Sequence, residues 1–119
     1  MNDKVNLAEK FSLLDGPFNP ATVGYVNDAK LVVALVEGEF VWHKHDDTDD
    51  FFLVMDGELT IQLRDRNVVL RPGEFFVVPR GVEHCPKADV LTRVLLIEAQ
   101  GTQNTGDAGG ELTQAEREI

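Results

Sequence analysis

The chain has 119 residues and a mass of 13.2 kDa, room for one domain that buries roughly two-thirds of the surface its unfolded form exposes. At 43% hydrophobic residues it is too apolar to be disordered overall, and 21 acidic against 11 basic residues leave a formal charge of −10, which repels phosphate backbones and anionic headgroups. Nucleic acid and membranes are therefore not expected partners; the single Cys85 excludes an internal disulfide framework, and the polar Met1 to Lys10 stretch and the absence of a ~20-residue apolar run point to a soluble cytoplasmic domain.

Leu7, Phe11 and Leu14 recur at helical spacing, and Asp15-Gly16-Pro17 stops the pattern, so a short amphipathic N-terminal helix is expected over Asn6 to Leu14. Pro17 and Pro20 bracket an extended stretch. From there the period is two. Strand-like runs cover Lys30 to Val36, Phe40 to His45, Phe51 to Met55, Leu59 to Leu63, Val68 to Leu70, Phe75 to Val78 and Leu91 to Ile97. Turn signals separate them, among them Asp56-Gly57, which reads as a hairpin turn. Eight or so short strands at near-regular spacing predict an all-β antiparallel sandwich or barrel over residues 1–100. The stretch 101–119, rich in Gly, Thr, Asn and Asp, reads as an extended or mobile tail, with a terminal helical turn from Leu112 left open.

There are three histidines. Two stand in His43-Lys44-His45, and positions i and i+2 of a strand share a face about 6.5–7 Å apart, close enough to converge on one ion. Alone, such a pair is as well explained by two surface histidines. The surroundings extend it: Gly38-x4-His43-x-His45-x4-Asp50-x6-Gly57 is followed by Gly73-x5-Pro79-x-Gly81-x2-His84. Together these resemble the two motifs of the cupin superfamily, G-x5-H-x-H-x3-4-E-x6-G and G-x5-P-x-G-x2-H-x3-N, in its small single-domain members. Three positions depart. The first glycine is one residue closer to His43, Asp50 stands where glutamate is usual, and Ala88 where asparagine is usual. Asp49 is the alternative acid, but it should face away from Asp50 on a strand.

The resemblance implies a jelly-roll or double-stranded β-helix barrel in which His43, His45 and His84 bind a divalent metal, with Asp50 as fourth ligand. Imidazole suits iron, nickel, copper or zinc, and a carboxylate adds manganese. A vestigial site without metal is the competing reading. Strand parity puts Leu59, Ile61 and Leu63 inside, Val41 on the histidines' face, and Phe52 and Val54 on that of Asp50, predicting an apolar cavity over a polar floor that suits a small organic ligand. Phe40 with Trp42, and Phe51 with Leu53 and Met55, form outward apolar stripes, expected to be covered by the N-terminal helix and by a second subunit in a homodimer. Cys85, next to His84, is expected to be a buried inert thiol, Arg80 a solvated turn residue, and Glu83 a surface salt-bridge partner. Three functions compete: a metal-dependent oxygenase or isomerase, a non-enzymatic ligand- or metal-binding module, and a metal-free acid–base pair of His84 with an aspartate. The last leaves the His43/His45 pair unexplained.

Overall fold

The computed structural model describes residues 3–119. A short helix, α1 (Leu7–Ser12), precedes seven strands: β1 (Ala21–Val26), β2 (Ala29–Glu39), β3 (Asp50–Asp56), β4 (Leu59–Leu63), β5 (Asn67–Leu70), β6 (Phe75–Val78) and β7 (His84–Ala99). The Asn6 side chain caps α1 by accepting the Glu9 N–H at 3.0 Å, which satisfies one of the orphan donors of its first turn. Among the described residues no helix is long and apolar enough to cross a membrane.

All strand ladders are antiparallel. One sheet runs β1-β2-β7-β3-β6, and the β4–β5 hairpin pairs with the N-terminal part of β7, so the sixteen-residue β7 belongs to both layers of a jelly-roll sandwich. β2 crosses over as well, through a register shift at Gly38, whose φ of +87° suits a residue without Cβ. The inner face is apolar by strict alternation. Val32, Ala34 and Val36 of β2, Phe52 and Val54 of β3, Leu59 and Ile61 of β4, and Val94 of β7 are all buried. Apart from Ala34, each such side chain contributes roughly 1.5–3 kcal/mol by leaving water.

Four sequence expectations need correction. Phe40 to His45 is not a regular strand; it is an irregular segment with a single antiparallel bridge, His43 to His84, flanked by isolated hydrogen bonds from the Phe40 N–H to the Pro86 carbonyl and from the Gly81 N–H to the His45 carbonyl. Ala21–Val26, which the sequence reading did not pick out as a strand, is an edge strand paired with β2. Asp56-Gly57 does not close a hairpin: β3 and β4 each pair with β7, and Gly57 turns the corner over Thr92. A Cβ on Gly57 would lie 2.5 Å from Thr92 Oγ1 and 2.9 Å from Thr92 Cα, and its φ is +91°. The last run begins at His84 rather than Leu91, with Cys85, Pro86 and Ala88 buried along it.

Phe11 of the helix and Leu14 just beyond its end pack onto Ala21, Val33 and Leu35, which covers β1 and β2 and leaves the Phe51–Leu53–Met55 stripe to face outward beside Phe75 and Val77. Residues 101–119 form turns and no helix, and they fold back on the sandwich. Thr105 is buried, Glu118 bridges Thr22, and the Asp107 carboxylate accepts the Lys44 N–H at 2.8 Å.

Candidate metal centre

His43 and His84 come together through the backbone. The His43 N–H donates to the His84 carbonyl at 3.0 Å and the His84 N–H returns the bond at 2.9 Å, a closely spaced antiparallel pair that sets the two rings 4.3 Å apart. Two residues on, the His45 carbonyl accepts the Gly81 N–H at 2.8 Å, and the His45 ring sits 4.9 Å from that of His43 and 5.7 Å from that of His84. Asp50, the first residue of β3, places Oδ2 3.3 Å from His45 Nε2 and 3.9 Å from His84 Nε2. All four side chains are buried. The structure thus brings together the four residues the sequence offered as metal ligands, even though the segment carrying two of them is not a regular strand.

The tautomers follow from the partners. His43 Nδ1 lies 2.8 Å from the Val41 carbonyl and His84 Nδ1 2.9 Å from that of Val82, so in each ring Nδ1–H donates and Nε2 is left with a free lone pair. Burial lowers the pKa of both rings to about 4, helped for His43 by the neighbouring His84 and for His84 by His45, and burial lowers that of His45 too. The imidazoles are therefore neutral near pH 7, the state in which they ligate. Burial acts oppositely on Asp50 and raises its carboxyl to about 7. Two buried atoms, His84 Nε2 and Asp50 Oδ1, have no hydrogen-bond partner among the described residues. Buried polar atoms are normally satisfied, so these two fit a bound cation.

A further acid stands in the cluster that the sequence reading did not single out. Glu98 of β7 is buried, and its carboxylate, that of Asp50 and the His45 ring lie within 4.8 Å of one another. Strand parity carried the signal. On β7, Val94 and Leu96 alternate inward, and Glu98 is the next position in that series, one residue past the apolar run. Lys30 opposite it follows the same parity on β2, so a row of charge, Lys30, Glu98 and Asp50, crosses three neighbouring strands at one end of an otherwise apolar interior. Lys30 Nζ is 3.7 Å from Glu98 Oε1.

A cavity of about 70 Å³ opens beside His43, Asp50 and Glu98. Phe18, Phe40, Phe52, Val36, Val94 and Leu96 contribute its apolar wall. Phe40, expected to face outward, turns in because its segment leaves the strand geometry; it packs on Phe18 at 5.1 Å and edge-on against His43 at 5.4 Å. Phe18 reaches there with a φ of +60°, a conformation costly for a bulky residue. Leu59 and Ile61 are buried in the core as expected but do not line the cavity. Trp42 stays outside, with the Arg64 guanidinium 3.8 Å over its ring. Asp49 points away from Asp50 and pairs with the exposed Arg80 at 3.4 Å, and Glu83 pairs with Arg64 at 3.2 Å on the surface. Cys85 is buried, and burial pushes its thiol up to about 11.

The comparisons with known proteins agree with this fold. The chain is 35% identical over 78 residues to the uncharacterized protein YdbB of Bacillus subtilis, an alignment covering 65% of this chain and 69% of that one. It is similar to the crystal structure of a cupin-2 domain containing protein from Shewanella frigidimarina, with a TM-score of 0.79 and 44% identity over 81% of this chain and 94% of the other. The fold also matches protein NMB1881 from Neisseria meningitidis, with a TM-score of 0.76 and 22% identity over 82% of this chain and all of that one. Residues 30–98, which hold the four sequence-derived candidates and Glu98, match the Cupin domain family, and the chain belongs to it.

Proposed function

We propose that the chain is a metal-dependent cupin enzyme, an oxygenase or isomerase of a small, largely apolar organic molecule, with His43, His45, His84 and Asp50 as protein ligands of a divalent ion. The observation that supports this most is a group of three neutral, buried imidazoles, two of them within 4 Å of the Asp50 carboxylate, with His84 Nε2 and Asp50 Oδ1 lacking a hydrogen-bond partner among the described residues. Mixed imidazole and carboxylate donors suit iron, manganese, nickel, zinc or copper. An ion bound there supplies Lewis acidity and coordination positions for substrate or water. The chain's own side chains do the rest. The Val41 and Val82 carbonyls hold the His43 and His84 rings in one tautomer, and the Phe18, Phe40 and Phe52 rings exclude water and take up the apolar part of the ligand.

Protein purified without a histidine tag should carry close to one transition metal per chain by elemental analysis, and His45→Ala should carry none. A value near zero that persists after anaerobic reconstitution with iron or manganese overturns the reading. The small cavity favours a second reading, a non-enzymatic module that holds a ligand and signals its presence. Incubating the loaded protein with a metabolite extract separates the two: an enzyme depletes a compound and yields a product mass, whereas a module returns its ligand unchanged. The reading includes a cytoplasmic location, in keeping with one free thiol and no disulfide. It also includes a homodimer through the outer face where Phe75, 61% exposed, stacks on Phe51 at 5.1 Å beside Leu53, Met55 and Val77. Light scattering at micromolar concentration should return twice the chain mass, and the mass of one chain removes the dimer.

A further inference from the structure

We infer that Phe18 sets the size limit of the cavity, and that the ligand is a short-chain carbonyl or hydroxy compound of about two to four carbons, too small to contain an aromatic ring. The inference rests on the reading above that the ligand sits in this cavity, and it names the class of ligand and the residue that selects it.

The cavity beside His43, Asp50 and Glu98 measures about 70 Å³. An apolar cavity of about 150 Å³ holds one benzene ring, so half that volume holds roughly three carbon-sized atoms. The wall is of two kinds. His43, Asp50 and Glu98 offer nitrogen and oxygen, whereas Val36, Phe52 and Val94 offer only carbon. A molecule that satisfies both carries an oxygen and a short hydrocarbon part.

The rim identifies the selecting residue. Five lining residues, Phe18, Pro20, Phe40, Leu96 and Asn104, are half-buried while the others are buried, so the cavity meets solvent on their side. Four of the five are held by their surroundings or their own ring. Leu96 is paired on both sides, with Val32 and with Phe52. Pro20 has a closed ring. The Asn104 side chain donates to the Leu112 carbonyl at 2.9 Å and accepts the Gln114 N–H at 3.0 Å. The Phe40 N–H donates to the Pro86 carbonyl at 2.9 Å, and its ring stands edge-on to His43. Phe18 is different. It lies in the turn between α1 and β1 with a φ of +60°, which glycine or asparagine adopts readily and a bulky residue does not. Its N–H donates to the Leu35 carbonyl at 2.9 Å, a bond that any residue except proline makes. What phenylalanine adds to that backbone is its ring, which packs on Phe40 at 5.1 Å and completes the cavity wall. Strain of this kind persists where the surroundings demand it, and it gathers at ligand clamps.

Acetone and benzene are the probes, added to metal-free protein in EDTA and followed through the methyl NMR signals of Val36 and Val94 on the buried wall. In wild type, acetone should shift both residues and benzene neither. Phe18→Gly relieves the φ of +60° and removes the ring. In that variant benzene should shift both valines and bind at least about tenfold more tightly than to wild type. Phe75→Ala, on the outer face, should match wild type. Phe18→Asn tolerates the same backbone and serves where Phe18→Gly does not fold, and the wild-type arm needs no variant. Benzene shifting Val36 and Val94 in wild type overturns the size limit. Benzene that perturbs Phe40 alone in the folded variants overturns it too, because the probe then merely replaces the missing ring. Acetone leaving wild type unshifted overturns the ligand class. No metal takes part, so each of these results is separate from the elemental analysis that decides the metal reading.

Discussion

Asp50 and the histidines respond to burial in opposite senses, and Asp50→Asn separates their contributions to stability in the metal-free protein. The Asp50 carboxyl is raised from 3.8 to about 7, so its contribution is present at low pH and is lost as pH rises through 7. His43 and His84 are lowered from 6.5 to about 4, so their contribution is present above 6.5 and is lost as pH falls toward 4. Between pH 8 and pH 5, the linkage relation gives a loss of about 2 kcal/mol for each histidine and a gain of about 2.7 kcal/mol from Asp50. Asp50 thus offsets most of what His43 and His84 lose, leaving about 1 kcal/mol of acid loss from these three groups in wild type. In Asp50→Asn the offset is gone and the loss from the two histidines stands at about 4 kcal/mol. Glu98 shifts upward with Asp50 as one cause, so relieving it in the variant widens the difference further. Urea unfolding in EDTA at pH 5, 6, 7 and 8 measures this directly. Parallel pH profiles for the two proteins would refute the placement of an ionisable Asp50 in a dry cluster.

Three further outcomes follow from contacts around the site. Gly57→Ala should cost roughly 2–5 kcal/mol in urea unfolding, because its Cβ would meet Thr92 at a φ of +91°, and a loss under about 1 kcal/mol would contradict the corner. Gly106→Val places a Cβ 2.2 Å from the Lys44 carbonyl and 3.0 Å from the His43 ring, so limited proteolysis with mass spectrometry should show faster cleavage within 101–116; an unchanged rate would mean that this segment is not held there. Cys85→Ala should keep full metal content, and the wild-type thiol should react with a disulfide reagent far more slowly than a free thiol, since it is buried with its pKa near 11; fast labelling would contradict that burial.

The β-sandwich was legible because its inner rows obey a period of two: Phe52 and Val54, and Leu59 and Ile61, alternate with polar or outward neighbours and are buried as expected. The four-residue site was legible because the histidines are few and fall in spaced motifs. What escaped depends on contacts between distant segments. Phe40 to His45 has the composition of a strand but finds only the His43–His84 bridge, and that irregularity turns Phe40 into the cavity. Asp56-Gly57 has the chemistry of a hairpin turn, yet β7 lies between the options and takes both flanking strands as its own partners. In the sequence Lys30 only opens a strand-like run, and Glu98 falls just past the end of another. Only the β2–β7 register, which pairs them with each other and sets them beside Asp50, makes them part of the interior.

X-ray absorption on the zinc-loaded protein tests the central claim most directly, because it counts imidazoles around the ion without needing a substrate. The account predicts a first shell at about 2.0–2.1 Å with the outer-shell scattering of three imidazole rings, falling to two in His84→Ala. A shell of oxygen donors alone, or a spectrum unchanged by His84→Ala, would contradict it.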